Sequence, residues 1–362
     1  MAETWANGLD LPRYNLWPGE PDLSAFPRGE WLTAARKAIA DAPDAVFGYG
    51  DPQGLPALRG ALAEYLTRTR GVVTAPGGEN VVICSGFAHG VEVMSRALRA
   101  AGASAIAVEE YGHPGHRAII TRQGLAAPLL PLDERGASAG PAGDADAVVL
   151  TPAHQFPLGM TLAPDRRRSF ADWDGIVIED DYDGEFRYDR QPVGAMQALA
   201  PDRVVYAGTA SKTLAPGLRL AWLVVPPSML DGVTACLNGG PSALDQLTLA
   251  EFVTSGAYDR QIRRARLAYR HRRDRLISAL DPLGLRVSGI AAGLHVVVDL
   301  ATVADEEAAI ARAEQRGLAL SGLSWYDLAR SSARAGLVIG YARPPEHAYT
   351  TAIARLCAVL RP

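Results

Sequence analysis

The sequence predicts an α/β protein: a large domain built on a mainly parallel sheet, followed by a smaller C-terminal α+β domain. Three observations predict it. Short apolar runs alternate with helical patterns through most of the 362 residues, as strand–helix–strand units require. That alternation changes after a long helix ending near residue 280, where strand-like segments flank a helical one. Hydrophobic residues make up 48% of the chain, enough for a substantial buried core.

In chain order, the turn-rich start from Pro12 to Pro27 reads as an arm. Residues 31–40 read as a helix on which Lys37 is an ordinary solvated side chain. Strands are predicted at 81–84, 105–109, 147–150, 175–180, 203–207 and 220–225. Between the first two, residues 88–101 carry Val91, Met94 and Leu98 at helical spacing. The stretch 136–143, GASAGPAG, reads as a flexible surface connection. Arg260 to Arg275 contains eight arginines within a helical pattern. We read it as a solvated helix, because aromatic interleaving is minimal and the formal charge of −4 does not suit a general nucleic-acid binder. Residues 293–300 and 337–342 are strand-like, separated by the helical stretch 305–316. The domain reading is an arm with part of the small domain over 1–44, a large domain over 45–258, and an interdomain helix with the small domain over 259–362.

Cys84, Cys236 and Cys357 are odd in number and far apart, which suggests a reducing compartment and offers no zinc spacing. Cys84 ends an apolar run and reads as a small core residue. Met1 to Asp10 lacks the features of a signal peptide, and no apolar run reaches membrane-spanning length. A soluble, cytoplasmic protein without a bound metal is expected.

Only two lysines occur against 34 arginines, and one of them, Lys212, lies in TASKTLAPGLR at 209–219. Arginine stays protonated, whereas a lysine can lose its proton and form a Schiff base with a carbonyl. Near it Thr209 and Ser211 offer hydroxyls, and Arg219 a bidentate phosphate partner. The segment VVICSGFAHG at 81–90 is a strand, a tight turn and a helix start, a place for a phosphate dianion. In IVIEDDYD at 176–183 an apolar strand runs into carboxylates at the end where open α/β sheets place ligands. Those carboxylates are either paired with arginines and solvent, or one of them keeps a heterocyclic nitrogen protonated. The glycines of FGYGDPQGL at 47–55 are not a dinucleotide fingerprint, because no βαβ unit frames them.

Together these segments resemble the fold-type I pyridoxal 5′-phosphate (PLP) enzymes of the aspartate aminotransferase superfamily, and within it the aminotransferase-like domain of MocR-type proteins. The motifs that carry the likeness are YGDPQGLPALR at 49–59, TPAHQFPLG at 151–159, EDDYDGEFRY at 179–188 and TASKTLAPGLRLAW at 209–222. The resemblance runs from about Asn15 to the C-terminus. It implies that Lys212 holds PLP covalently, that Asp180 faces the pyridine nitrogen, and that Tyr182 lies near the 3′-oxygen. Thr209, Ser211, Arg219 and the backbone of Phe87 and Ala88 match the surroundings of the phosphate. Tyr49 matches a tyrosine that reaches the neighbouring subunit's phosphate, so a homodimer with shared active sites is expected.

The chain departs from the pattern at several positions. Phe156 stands where common aminotransferases have an asparagine, which leaves His154 or Gln155 to contact the 3′-oxygen. His113 takes the place of the usual ring-stacking tyrosine, and His89 that of a frequent glutamine. Val338 occupies the position of the arginine that clamps a substrate carboxylate, with Arg334 or Arg343 left to serve instead. MocR-type proteins also carry a winged-helix DNA reader, and nothing before Asn15 forms one. The expectation is therefore a PLP-dependent enzyme acting on a primary amine or amino acid, an aminotransferase by default. A β/γ-elimination, replacement or C–C bond-forming enzyme of specialised biosynthesis is the alternative, and a non-catalytic PLP- or amine-sensing module is a second one.

Overall fold

Apolar runs flanked by turn residues pair into a seven-stranded sheet. The computed structural model describes residues 14–188, 193–331 and 334–361; Met1 to Asp10 and the first two residues of the expected arm lie outside them. The strands are β1 (Val81–Cys84), β2 (Ile106–Glu109), β3 (Leu129–Leu130), β4 (Ala147–Leu150), β5 (Ile176–Asp180), β6 (Val204–Thr209) and β7 (Ala221–Val224). They pair in the order β1-β7-β6-β5-β4-β2-β3. The pairs from β6 to β3 are parallel, and β7 is antiparallel to both of its neighbours.

The sheet is covered on both faces, so its strands read as unbroken apolar runs. Val81, Ile83, Tyr206, Trp222 and Val224 pack against α1 (Arg28–Ala40), α2 (Pro56–Arg70), α7 (Ala243–Thr254) and the start of α8 (Ala257–Leu280). Farther along that face, Val148, Leu150 and Val177 meet α5 (Pro164–Ala171). Val82, Cys84, Val108, Ile178 and Leu223 point the other way, into α3 (Phe87–Ala100), α4 (Pro114–Arg122) and α6 (Leu230–Thr234). Cys84 is fully buried, and burial pushes its thiol up to about 12, which suits an inert core residue.

A second sheet, wholly antiparallel, is formed by β8 (Val287–Ser288), β9 (His295–Leu300), β10 (Ser321–Gly322) and β11 (Ala335–Gly340) in the order β8-β9-β11-β10. One face packs Val296, Val298, Leu337 and Ile339 on α8, α9 (Val303–Gln315) and α10 (Glu346–Leu360). The other face presents Val297 and Val338 to Leu158 and Tyr326. Helix α9 starts two residues earlier than its apolar spacing predicts, because Thr302 and Asp305 close a capping box.

Two expectations are corrected. Residues 136–143 are not simply a flexible surface connection: Gly136–Ala137 pairs with Leu132–Asp133, and Ala137 and Ala142 are buried in the core. The arginine-rich helix is not uniformly solvated either. Arg272 is buried, with Nη2 2.7 Å from Asp22 Oδ2, Nη1 donating to Ala342 O at 2.7 Å and Nε to Glu346 Oε2 at 3.2 Å.

That arginine fixes the arm. Tyr14–Asn15 runs parallel to Leu318–Ala319, Gly340 N donates to Leu16 O at 2.7 Å, and Asp22 meets Arg272. A Cβ on Gly340 would lie 2.3 Å from Trp17 O, so only glycine lets the arm cross the end of β11 here.

Candidate active site

Parallel pairing brings the C-terminal ends of β2, β4, β5 and β6 to one edge of the sheet. Glu109, Thr151, Asp180 and Thr209 gather there. Because β7 runs the other way, its first residue Ala221 pairs with both Thr209 and Cys84, which puts Arg219 at the same edge. Ser85 and Arg219, 134 positions apart in sequence, thus share one rim, the usual ligand position for such sheets.

The acidic segment after β5 resolves into distinct environments. Glu179 accepts from the backbone N–H of Met196 and Gln197 at 2.7 and 2.8 Å. Asp181 takes a two-pronged contact from the buried Arg70, at 2.6 and 2.9 Å, and the Tyr206 hydroxyl at 2.8 Å. Asp183 Oδ2 lies 2.8 Å from His154 Nδ1. Asp180 differs: it is buried, and no group among the described residues donates to it. Burial holds its carboxyl well above the usual range, Lys212 opposes that shift, and Asp181 and Asp183 add to it.

Lys212 is half-buried, and its Nζ donates to Gly19 O at 2.5 Å. Burial lowers its pKa from the ordinary 10.5, against the opposing pull of Asp180, Asp183 and Glu20. Beside the acidic segment, the Tyr182 hydroxyl lies 3.1 Å from His154 Nδ1, and the two rings stack at 6.3 Å. His154 Nε2 is buried without a partner among the described residues. Gly293, at φ +73°, makes room for this histidine, since a Cβ there would lie 2.2 Å from Cε1.

At the other end of the rim, α3 begins directly after Gly86, and the N–H groups of Phe87 and Ala88 have no partner among the described residues. Arg219 adopts a left-handed backbone, φ 53°, and its Nη2 donates to Ser85 O at 2.6 Å. Its guanidinium covers Gly86, whose Cβ would sit 3.2 Å from Cζ. Thr209 Oγ1 and Ser211 Oγ are 2.9 Å apart alongside. His89 bonds locally instead, its Nδ1 accepting from Ser85 N at 3.1 Å.

His113 caps α4, its Nδ1 accepting from Gly115 N at 3.1 Å, with Trp325 edge-on at 5.4 Å. Surrounding protein and the charge of Lys212 lower its pKa, so it shares the lysine's space. Of the two candidates beside Phe156, His154 reaches Tyr182, whereas Gln155 is engaged by Tyr111 O and Phe156 O. Tyr49 is fully exposed and reaches no part of this chain's own site. Sequence reasoning did not single out His116, Glu109, His295 or Glu20. Burial drives the two histidines down to about 3. It raises Glu109, which accepts from Thr151 Oγ1 at 2.6 Å, to about 7. His295 was findable as the single ionisable group amid the apolar residues that open its strand. Glu20 carries no local signal, because its neighbours come from distant segments.

The family model described as aminotransferase class I and II matches residues 19–337. The chain belongs to this family. Its similarity to curated proteins includes the HTH-type pyridoxine biosynthesis transcriptional regulator PdxR of Corynebacterium glutamicum, 32% identical over 91% of this chain and 72% of the regulator. It also includes the probable rhizopine catabolism regulatory protein MocR of Rhizobium meliloti, 31% identical over 90% of this chain and 68% of that protein. The fold matches that of Pyrococcus horikoshii kynurenine aminotransferase, with a TM-score of 0.86 at 22% identity, over 99% of this chain and 93% of that one. The chain is thus an aminotransferase-family α/β protein with MocR-type relatives.

Membership implies PLP as the cofactor, and the groups left without partners fit its parts. The free N–H groups of α3 and the Arg219 guanidinium suit a phosphate dianion. Asp180, buried without a donor, suits a protonated ring nitrogen, and the orphaned His154 Nε2 lies in the same pocket wall as Tyr182. No helix among the described residues is long and apolar enough to cross a membrane.

Proposed function

We propose that this protein is a PLP-dependent enzyme acting on a primary amine or amino acid, with transfer of the amino group to an oxo acid as its default reaction. The observation that carries the reading is the opposition of Lys212, a half-buried amine with a lowered pKa, to Asp180, a buried carboxylate with no donor among the described residues. When bound, PLP supplies an electron-withdrawing ring that stabilises negative charge on the substrate carbon next to nitrogen.

The chain's own residues do the rest. Asp180 holds the ring nitrogen in its protonated, cationic form, which relieves the burial of an otherwise unpaired carboxylate. Tyr182 and His154 hold the ring's hydroxyl oxygen. Arg219, Thr209, Ser211 and the N–H groups of Phe87 and Ala88 fix the phosphate. Lys212 anchors the cofactor at rest; once released, its neutral amine takes a proton from the substrate carbon and returns it one position away. His113 flanks the ring, and the exposed Tyr49 reaches the phosphate of a second copy, making the active unit a homodimer with shared sites.

A second reading, a PLP-binding sensor of amines without turnover, is favoured by one finding: curated relatives with about 30% identity carry names of transcriptional regulators. A β/γ-elimination, replacement or C–C bond-forming enzyme is a further alternative, resting on Val338 at the clamp position. One experiment separates them. The purified protein, loaded with PLP, is given a panel of amino donors with and without oxo acids. We expect one equivalent of oxo acid per protomer without acceptor and many with it, and borohydride should fix the vitamer's mass on Lys212. Lys212→Ala should lose both. Binding without turnover identifies a sensor, and ammonia release identifies elimination.

A further inference from the structure

Arg334 and Arg343, the two arginines that the resemblance leaves open, are separated by their surroundings. Val338, in the middle of β11, faces Leu158, Tyr326 and Val297, so the usual clamp position is part of an apolar contact. Arg334 lies before β11 and is engaged by Asp299 at 3.3 Å. Arg343 lies beyond the opposite end of that six-residue strand, about 17 Å away along it.

Arg343 is mostly covered, its side chain 18% exposed, and its one partner among the described residues is Glu20, whose Oε2 lies 2.8 Å from Nη2. A guanidinium carries five N–H donors in a planar fork, so most of this one is uncommitted. Glu20 follows Gly19, whose carbonyl receives the Lys212 amine, and the charge of Glu20 acts on both Lys212 and Arg343. The pair therefore flanks the reacting lysine. Arg272 keeps it there, since one guanidinium binds Asp22, two residues beyond Glu20, and Ala342 O, one residue before Arg343.

We propose that Arg343 receives the carboxylate of the substrate, and that Glu20 stands in for that carboxylate until the substrate displaces it. The substrate class is then amino acids and their oxo-acid partners rather than simple amines. The exchange is favourable on geometric grounds: a single oxygen contact gives way to a carboxylate placed across the fork. Glu20, its side chain 32% exposed, returns to water at little cost. The inference rests on the reading of Lys212 as the reacting amine, and it deepens that reading.

The test uses the PLP-loaded protein and calorimetric titration with amino acids and with the amines formed by their decarboxylation. The unmodified protein should prefer the amino acid of each pair. Arg343→Gln should weaken amino-acid binding roughly 10- to 100-fold and leave the amine unchanged, and Arg343→Lys should restore part of the loss. Glu20→Gln should tighten amino-acid binding roughly threefold to tenfold, because a competitor for the guanidinium is gone. Arg343→Gln with undiminished amino-acid binding, Glu20→Gln with weaker binding, or a preference for the decarboxylated amines would each overturn the proposal. Failure of the underlying reading looks different: none of the proteins, including the unmodified one, takes up PLP with a visible absorbance.

Discussion

Arg219 holds a backbone conformation that costs a non-glycine residue about 1–2 kcal/mol. The strain places its guanidinium over Gly86, beside the unpartnered N–H groups of α3. Arg219→Gly tests that trade directly. Glycine adopts the same φ freely, so the cofactor-free protein should keep its stability to within about 1 kcal/mol. PLP affinity should fall roughly 10- to 100-fold, as expected for the loss of charge-assisted bonds to a phosphate, measured by equilibrium dialysis. Residue types announced this part of the site: a scarce lysine, a strand ending in carboxylates, and an arginine seven positions after the lysine. The sequence could not single out one carboxylate, because that choice depends on Arg70, Tyr206 and His154 arriving from elsewhere to occupy Asp181 and Asp183.

Among elements, the joint between arm, α8 and α10 matters most. Arg272→Ala should cost about 3–5 kcal/mol in denaturant unfolding, because it strands the buried Asp22 and frees Ala342 O. Glu346→Ala, at the exposed end of the same contact, should cost under about 1 kcal/mol. Equal effects would mean that the buried pair does not anchor the arm. Element existence was legible for six of the seven strands of the large sheet, since strands buried on both faces leave continuous apolar runs. The edge strand β3, two residues long, lies between Pro128 and Pro131 in an apolar stretch, and those prolines hide it. In the arginine-rich helix, pattern reading counted charge and missed that one face turns inward, where Tyr269, Leu276 and Leu280 already marked the buried stripe.

Across the whole molecule, buried titratable groups set a pH profile. Burial raises Glu109 and Glu185 from 4.5 to about 7 and holds Asp180 above its ordinary value. Acids raised in this way contribute stability that is complete below their unfolded pKa and lost as pH climbs through the folded one. His116 and His295, lowered from 6.5 to about 3, act in the opposite sense: their contribution is present above 6.5 and lost on acidification toward 3. The two sets offset each other between about pH 4.5 and 6.5. The cofactor-free protein should therefore melt at a lower temperature at pH 8 than at pH 6 in scanning calorimetry. PLP should flatten that alkaline decline, because a cationic ring nitrogen stabilises ionised Asp180. A melting temperature that rises toward pH 8 would contradict the assignment of these burials.

The crossing of Trp17 over Gly340 has a consequence of its own. It seams the start of the polypeptide to the far end of the last long strand, next to the amine that a ligand must reach. At the crossing itself the seam is closed by backbone contact at a position that carries no side chain. Added salt, which weakens attractions between exposed ions, will leave it shut, even while it loosens the grip of Glu20 on Arg343.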